Sequence, residues 1–214
     1  MSSHASAVGS AGSGSVWEGG QSPYATNSKK FGMWLFLISD SLTFSAMLFA
    51  YTYSRVTNPD WPKPFDFSPA IIFSTVMTFC LLSSSLTMVM AVHSMNHGNR
   101  GATVKWILAT MVGGGAFVVL HMSEWLKLIN VEHVTPLNNP WGVPLFGGTF
   151  FALTGLHMTH VICGLIYLAI IAQGIARGKF KAEDVEVSGL YWHFVDLVWM
   201  FIFPLVYLMS TKVV

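Results

Sequence analysis

Five long apolar runs, separated by short polar segments, dominate the chain. Each run is long enough to cross the hydrocarbon core of a bilayer, for which a helix needs about 20 residues. Their approximate bounds are 32–54, 69–92, 104–126, 145–176 and 190–211. This pattern predicts an all-α, polytopic membrane protein whose five transmembrane helices form a bundle within residues 31–214. Residues 1–30 are rich in Ser and Gly and contain no apolar core like that of a signal peptide, which predicts a flexible cytoplasmic tail.

The composition supports a membrane protein and argues against several other classes. Of the 214 residues, 53% are hydrophobic and 10% are charged, whereas soluble domains carry about 25% charged residues. The net charge of +1 offers no basic stripe for a nucleic acid, so no nucleic-acid partner is expected. Cys80 and Cys163 lie in different apolar runs without metal-ligand spacing, which indicates neither a disulfide framework nor a zinc site.

Basic residues between the runs predict how the chain is oriented. Loops with an excess of Lys and Arg stay in the cytoplasm. One side carries Lys29, Lys30, Arg100, Lys105, Arg177, Lys179 and Lys181. The other side carries Arg55, Lys63, Lys127 and Lys212. The bias predicts a cytoplasmic N-terminus and a periplasmic or extracytoplasmic C-terminus.

Three carboxylates, Asp40, Glu124 and Asp196, fall inside the apolar runs. An ionisable group at bilayer depth is costly and normally faces the protein interior, where it either serves a function or joins two helices by hydrogen bonds. Asp40 lies about 8 residues into its run, which corresponds to roughly 12 Å of helix. It is therefore the candidate for a functional carboxylate.

Four histidines lie in the later runs, at His121, His157, His160 and His193. His157 and His160 are three residues apart, and the same spacing separates His121 from Glu124 and His193 from Asp196. One hypothesis is a haem or di-metal site between facing helices, and the other is a polar seam inside the bundle. The paired Glu-x-x-His pattern of di-metal bundles is absent, which favours the seam. No nucleophile–base pair or nucleotide-binding loop is evident, so the chain itself is expected to be non-catalytic.

Two segments carry a specific resemblance to a known family. Phe150–Val161, which contains the string TGLHMTHV, and Tyr191–Trp199, which begins YWHFVD, resemble the signature segments of subunit III of the haem–copper terminal oxidases. The segment GMWLFL at 32–37 and the pair Glu124–Trp125 are also similar to that family. The similarity covers every apolar run except the second. The length resembles the short, five-helix bacterial form.

The resemblance implies an accessory, non-redox subunit III of an aa3/caa3-type cytochrome c oxidase. Such a subunit supports proton uptake and the stability of the catalytic subunit during oxygen reduction, in the inner (plasma) membrane of a bacterium. Alternatives are subunit III of a bo3-type quinol oxidase, a stand-alone proton-coupled transporter, and a di-haem or di-metal membrane enzyme. The implied partners are oxidase subunits I and II and phospholipids, with a small subunit IV and a respiratory supercomplex as further candidates.

The resemblance also assigns roles to the polar residues. No metal or cofactor is implied for this chain, because haem and copper would belong to the partner subunits, whereas structural phospholipids would lie in a cleft between helix groups. The family usually has a glutamate at the position of Asp40, a buried carboxylate linked to proton uptake and carbodiimide sensitivity. The other polar residues would form a buried polar seam or line the lipid cleft. They are His121, Glu124, His157, His160, His193 and Asp196.

Overall fold

The computed structural model describes residues 28–65, 71–137 and 140–211. Five long helices account for most of this part of the chain: α1 (Ser28–Thr57), α2 (Ile72–Asn96), α3 (Arg100–Asn130), α4 (Pro144–Ala176) and α5 (Ala182–Ile202). All five are long and apolar enough to cross a membrane. The predicted all-α, polytopic fold class is therefore confirmed. Most of the predicted N-terminal tail lies outside the described residues.

The helices extend past the apolar runs into polar sequence. α1 begins at Ser28 and so includes Lys29 and Lys30. Both lysines fall within the predicted tail of residues 1–30. α4 is the longest helix, with 33 residues. At 1.5 Å per residue it spans about 50 Å, against a hydrocarbon core of about 30 Å. Its length requires that it tilt or project beyond the bilayer.

The α2–α3 connection is short because two residues provide its turn and cap. Gly98 adopts a positive φ of 75°, which ends α2 in a conformation that side-chain-bearing residues rarely adopt. The side chain of Asn99 then accepts a hydrogen bond of 3.0 Å from the backbone N–H of Ala102, capping α3. This connection makes α2 and α3 antiparallel neighbours.

A glycine triplet on α3 allows close packing on two sides. A Cβ atom on Gly113 would lie 2.7 Å from the Cβ of Ser84 on α2, which is closer than packed side chains approach. A Cβ atom on Gly114 would lie 2.5 Å from the ring of Trp192 on α5. Small residues of this kind let membrane helices approach each other closely. α3 is therefore fixed against both α2 and α5.

α5 is the central helix and α1 is peripheral. α5 packs against α1, α2 and α4, and its two tryptophans, Trp192 and Trp199, are almost fully buried. α1 packs against α4 and α5, yet only 11% of its apolar window is buried. The rest of α1 presents large apolar side chains outward. α1 is thus available to lipid or to another subunit over most of its surface.

The end of α5 changes its helical geometry at Pro204, where the sequence predicts a kink. A π turn (Phe203–Tyr207) and a short 3-10 turn (Leu208–Ser210) follow Ile202. Proline lacks an N–H group and cannot continue the regular α-helical hydrogen bonding, and such disruptions favour local π geometry. Both Tyr207 and Ser210 are fully buried by this change.

Polar contacts fasten both ends of α1 to the last helix and the turns after it. At one end, the Lys29 and Lys30 side chains pair with Asp184 and Glu186 at 2.6 and 2.8 Å. At the other end, the Tyr51 hydroxyl lies 3.0 Å from the Ser210 hydroxyl. Arg55 donates a hydrogen bond to the backbone carbonyl of Met209. Polar contacts thus supplement the limited apolar packing of α1.

We predict that Gly113→Ala destabilises the protein and that Gly115→Ala does not. The added methyl group at position 113 would overlap Ser84, at a cost of about 1–3 kcal/mol for overpacking. No atom lies within 4 Å of the Cβ position of Gly115, where alanine adds only helix propensity. The check is the temperature at which the detergent-solubilised protein loses monodispersity. Equal stability of the two variants would contradict the close α2–α3 contact.

Candidate functional site

The polar residues predicted in the membrane lie in four separate contacts between helices. Asp40 meets His160, Glu124 meets Ser74 and Tyr207, His121 and His157 pack against the same rings, and His193, three residues before Asp196 on α5, meets Ser85. These contacts join different pairs of helices. The predicted polar seam is consequently distributed around α5 and not concentrated in one site.

The contact between α1 and α4 brings a carboxylate to an imidazole. The Oδ2 atom of Asp40 lies 3.3 Å from Nε2 of His160, and the two side chains are 12% and 17% exposed. Asp40 is twelve residues from the first residue of α1, about 18 Å along the helix axis. The pair therefore lies well inside the length of the bundle. Both residues are candidates from the sequence, but their contact is not predictable from it.

The hydrogen bond at the other ring nitrogen of His160 determines what the pair can do. Nδ1 of His160 lies 2.8 Å from the carbonyl oxygen of Leu156, and a carbonyl can only accept, so Nδ1 carries a proton. In a neutral imidazole, Nε2 is then an acceptor facing the acceptor oxygen of Asp40. Oδ2 of Asp40 has no hydrogen-bond partner among the described residues, so its contact with His160 is a close approach of two ionisable groups and not a formed hydrogen bond.

The surroundings of this pair limit its access to water. The ring of Phe44 packs edge-on against the His160 ring at 5.2 Å. The Tyr191 hydroxyl donates a hydrogen bond of 2.9 Å to the backbone carbonyl of His160, which ties α5 to the same point on α4. Low local polarity strengthens the attraction between a carboxylate and an imidazolium. The site joins α1, α4 and α5.

Both carboxyl oxygens of Glu124 accept hydrogen bonds, at the end of the bundle opposite Lys29. Its Oε1 atom accepts a hydrogen bond of 3.0 Å from the Ser74 hydroxyl, and its Oε2 atom accepts one of 2.8 Å from the Tyr207 hydroxyl. These donors come from α2 and from the π turn. Glu124 is 8% exposed. The contacts match the structural hypothesis, in which a buried carboxylate joins helices.

His121 and His157 form an aromatic cluster around Trp199. Both histidines are fully buried, and both rings pack against Phe117 and Trp199 at centroid distances of 5.0–5.6 Å. Nε2 of His157 donates to the carbonyl of Val195 at 3.1 Å. Within residues 28–65, 71–137 and 140–211, no three His, Cys, Asp or Glu side chains come together as a metal site would require. The cluster is a packed core element.

The contact between α2 and α5 includes Ser85, which was not among the residues predicted from the sequence. The Ser85 hydroxyl lies 2.6 Å from Nδ1 of His193. Asp196 is 7% exposed. The available signal was the run of three serines at 83–85 inside an apolar span, since hydroxyls at this depth commonly hydrogen-bond to other helices.

Residues three apart do not share their partners in this bundle. His157 faces α3 and α5, whereas His160 faces α1. His121 faces the Trp199 cluster, whereas Glu124 faces Ser74. Three residues advance about 300° around a helix, so their side chains differ by about 60° in direction. On a helix with neighbours on several sides, that difference is enough to separate them.

Comparison with known proteins identifies the family. A family model described as cytochrome c oxidase subunit III matches residues 11–211. The chain belongs to this family. Subunit III is part of a haem–copper terminal oxidase, and this chain is accordingly a multi-pass membrane protein that associates with other oxidase subunits.

Relatives of this subunit III chain include two kinds of oxidase. Cytochrome c oxidase subunit 3 of Alkalihalophilus pseudofirmus is 32% identical over 185 residues, covering 85% of this chain and 87% of the relative. Quinol oxidase subunit 3 of Bacillus spizizenii is 34% identical over 182 residues, with 84% and 86% coverage. Cytochrome bo(3) ubiquinol oxidase subunit 3 of Pseudomonas aeruginosa is 31% identical over 186 residues, with 84% coverage of each chain. Overall similarity therefore does not separate the two electron donors.

We predict that Tyr207→Phe destabilises this subunit III chain and that Tyr53→Phe does not. The first change removes a hydroxyl donor from the buried Glu124, and leaving a buried acceptor without its partner costs about 1–3 kcal/mol. Tyr53 lies on α1 and is 62% exposed, so it provides the same chemical change without burial. Thermal unfolding of the purified complex measures both effects. A loss of stability in both variants, or in neither, would contradict the structural role of the Glu124 contact.

Proposed function

We propose that this chain is the accessory, non-redox subunit III of an aa3/caa3-type cytochrome c oxidase in a bacterial plasma membrane. It supports proton uptake by the catalytic subunit and the stability of that subunit during oxygen reduction. Haem and copper belong to subunits I and II, and phospholipids bind to the subunit III chain. The excess of basic residues on one side supports a cytoplasmic N-terminus.

The Asp40–His160 pair is the observation that carries the proposed role. The pair places a carboxyl oxygen 3.3 Å from an imidazole nitrogen inside the bundle, and imidazole is the side-chain group that gains and loses protons most readily near neutral pH. A buried group of this kind on a membrane helix is a functional candidate by default. Asp40 retains the carboxylate that the family usually supplies from a glutamate.

The position of the pair also relates it to the stability of the complex. α1 has little apolar packing of its own, and the Asp40–His160 contact lies midway between its two polar end contacts. Interhelical polar contacts in membranes contribute about 0.6 kcal/mol on average. Losing that amount raises the fraction of molecules with α1 locally detached about threefold. The stabilisation that this chain gives the catalytic subunit would decrease as the fraction of molecules with α1 detached increases.

We predict that Asp40→Asn shortens the active life of the assembled oxidase by about threefold, because amide substitution removes the carboxyl group and weakens the contact with His160. Asp40→Glu is expected to retain most of the lifetime, since it keeps the carboxyl group. The measurement is the number of turnovers before inactivation during continuous oxygen consumption, with proton uptake recorded in parallel.

Asp60→Asn is the matched control, because Asp60 is an exposed carboxylate in the loop after α1. It should leave both turnover number and lifetime unchanged. His160→Asn should shorten the lifetime as Asp40→Asn does, and the double variant should add little, since both changes remove the same contact. Wild-type lifetime and proton uptake in Asp40→Asn would refute the proposed role and leave Asp40 as a structural residue.

A second candidate, subunit III of a bo3-type quinol oxidase, is favoured by the 34% identity to the quinol oxidase subunit of Bacillus spizizenii. The visible and near-infrared spectrum of the purified complex distinguishes the two. We expect the band of a dinuclear copper centre, or of a bound c-type haem, alongside the a-type haems. Their absence, together with oxidation of a quinol and not of cytochrome c, would establish the second candidate in place of the first.

A further inference from the structure

Two exposed histidines lie one helical turn apart at the end of α2. The ring centres of His93 and His97 are 4.3 Å apart, with an angle of 40° between the ring planes. Residues four apart on a helix lie on one face, and the same His-x-x-x-His spacing supplies two of the metal ligands in the H-E-x-x-H motif. The pair is therefore a candidate for chelation of a metal ion.

A hydrogen bond fixes the His97 ring in a form that can bind a metal. Nδ1 of His97 lies 2.9 Å from the carbonyl oxygen of His93, and a carbonyl can only accept, so Nδ1 carries a proton. In the neutral ring, Nε2 then presents a lone pair. Metal-binding histidines usually donate their other N–H to an acceptor of this kind. Nε2 of His97 is consequently available as a ligand.

The turn into α3 holds the backbone at the two histidines. Gly98 follows His97 with a positive φ of 75°, and its N–H donates to the carbonyl of Met95 at 2.9 Å. The N–H of Asn99 donates to the carbonyl of Ser94 at 3.0 Å. The carboxyl end of a helix also carries a partial negative charge, which favours a cation. The end of α2 thus provides both a fixed backbone and a favourable field.

The spacing of the rings indicates which coordination geometry the pair can provide. A metal ion about 2.1 Å from an imidazole nitrogen, along its lone pair, lies about 3.2 Å from the centre of that ring. Two ring centres 4.3 Å apart then give an angle of about 85° between the two nitrogens at the metal. This angle is close to the roughly 90° between neighbouring ligands in tetragonal coordination, and well below the roughly 109° of a tetrahedral site.

We propose that His93 and His97 together form a surface site for one divalent metal ion of the Ni²⁺ and Cu²⁺ class, which takes nitrogen and oxygen ligands in tetragonal geometry. Within residues 28–65, 71–137 and 140–211, no third His, Cys, Asp or Glu joins the two histidines, so water completes the coordination. The site lies on α2, whereas the Asp40–His160 pair joins α1 to α4, so neither proposal depends on the other.

Nickel binding to the assembled oxidase tests the site, because the proposed metal centres of the complex contain iron and copper. The complex is purified without a polyhistidine tag and dialysed against a series of Ni²⁺ concentrations, and bound nickel is measured by mass spectrometry. His93→Asn and His97→Asn should each weaken the binding of one nickel ion by about tenfold or more, since even loss of an outer partner of a metal ligand costs about 10–100-fold. The double variant should add little, because a single histidine no longer chelates.

His133→Asn is the matched control, because His133 is an exposed histidine at the opposite end of the bundle, with a φ of 53° that asparagine tolerates. It should bind nickel as the wild type does. Haem content and co-purification of the other subunits confirm that each variant is assembled. Unchanged nickel binding in either single variant, an equal loss in His133→Asn, or equal nickel content in the wild type and the double variant would overturn the site. Asp40→Asn should leave nickel binding unchanged, which keeps this result separate from the proposed function.

Discussion

The lack of water in a bilayer requires every buried polar group to find its partner within the protein, and this requirement organises the bundle. Two of the three membrane carboxylates meet side chains from other helices: Asp40 meets His160, and Glu124 meets Ser74 and Tyr207. Apolar surface alone would not specify these arrangements, since lipid is as apolar as the helices themselves. Polar partners and closely packed glycines therefore select which helices are neighbours.

α1 shows the consequence most directly. It leaves most of its apolar surface exposed and is fastened by polar contacts near each end and by the Asp40–His160 pair between them. A helix held in this way can be loosened by a change in one contact without unfolding the rest of the bundle. The same pair consists of two ionisable side chains, so α1 combines a structural role with a candidate chemical one.

Hydropathy was sufficient to predict five helices, because each must cross the same thickness of hydrocarbon. The strings around His157 and Asp196 were sufficient to predict the family, which the family comparison confirms. The partners of these residues were not predictable, because they depend on the rotation of each helix against its neighbours. Ser85 illustrates this limit: its hydroxyl resembles those of the adjacent serines in the sequence, and only packing places it against His193.

Membership of the subunit III family requires that this chain work inside an oxidase complex and not alone. Purification of the tagged, full-length chain from its own membranes tests this most directly, with iron, copper and subunit composition measured in the peak that contains it. We expect haem iron and copper at a constant ratio to this chain, together with the catalytic subunit. Elution of the chain alone, monodisperse and stable in detergent, without haem or copper would contradict it.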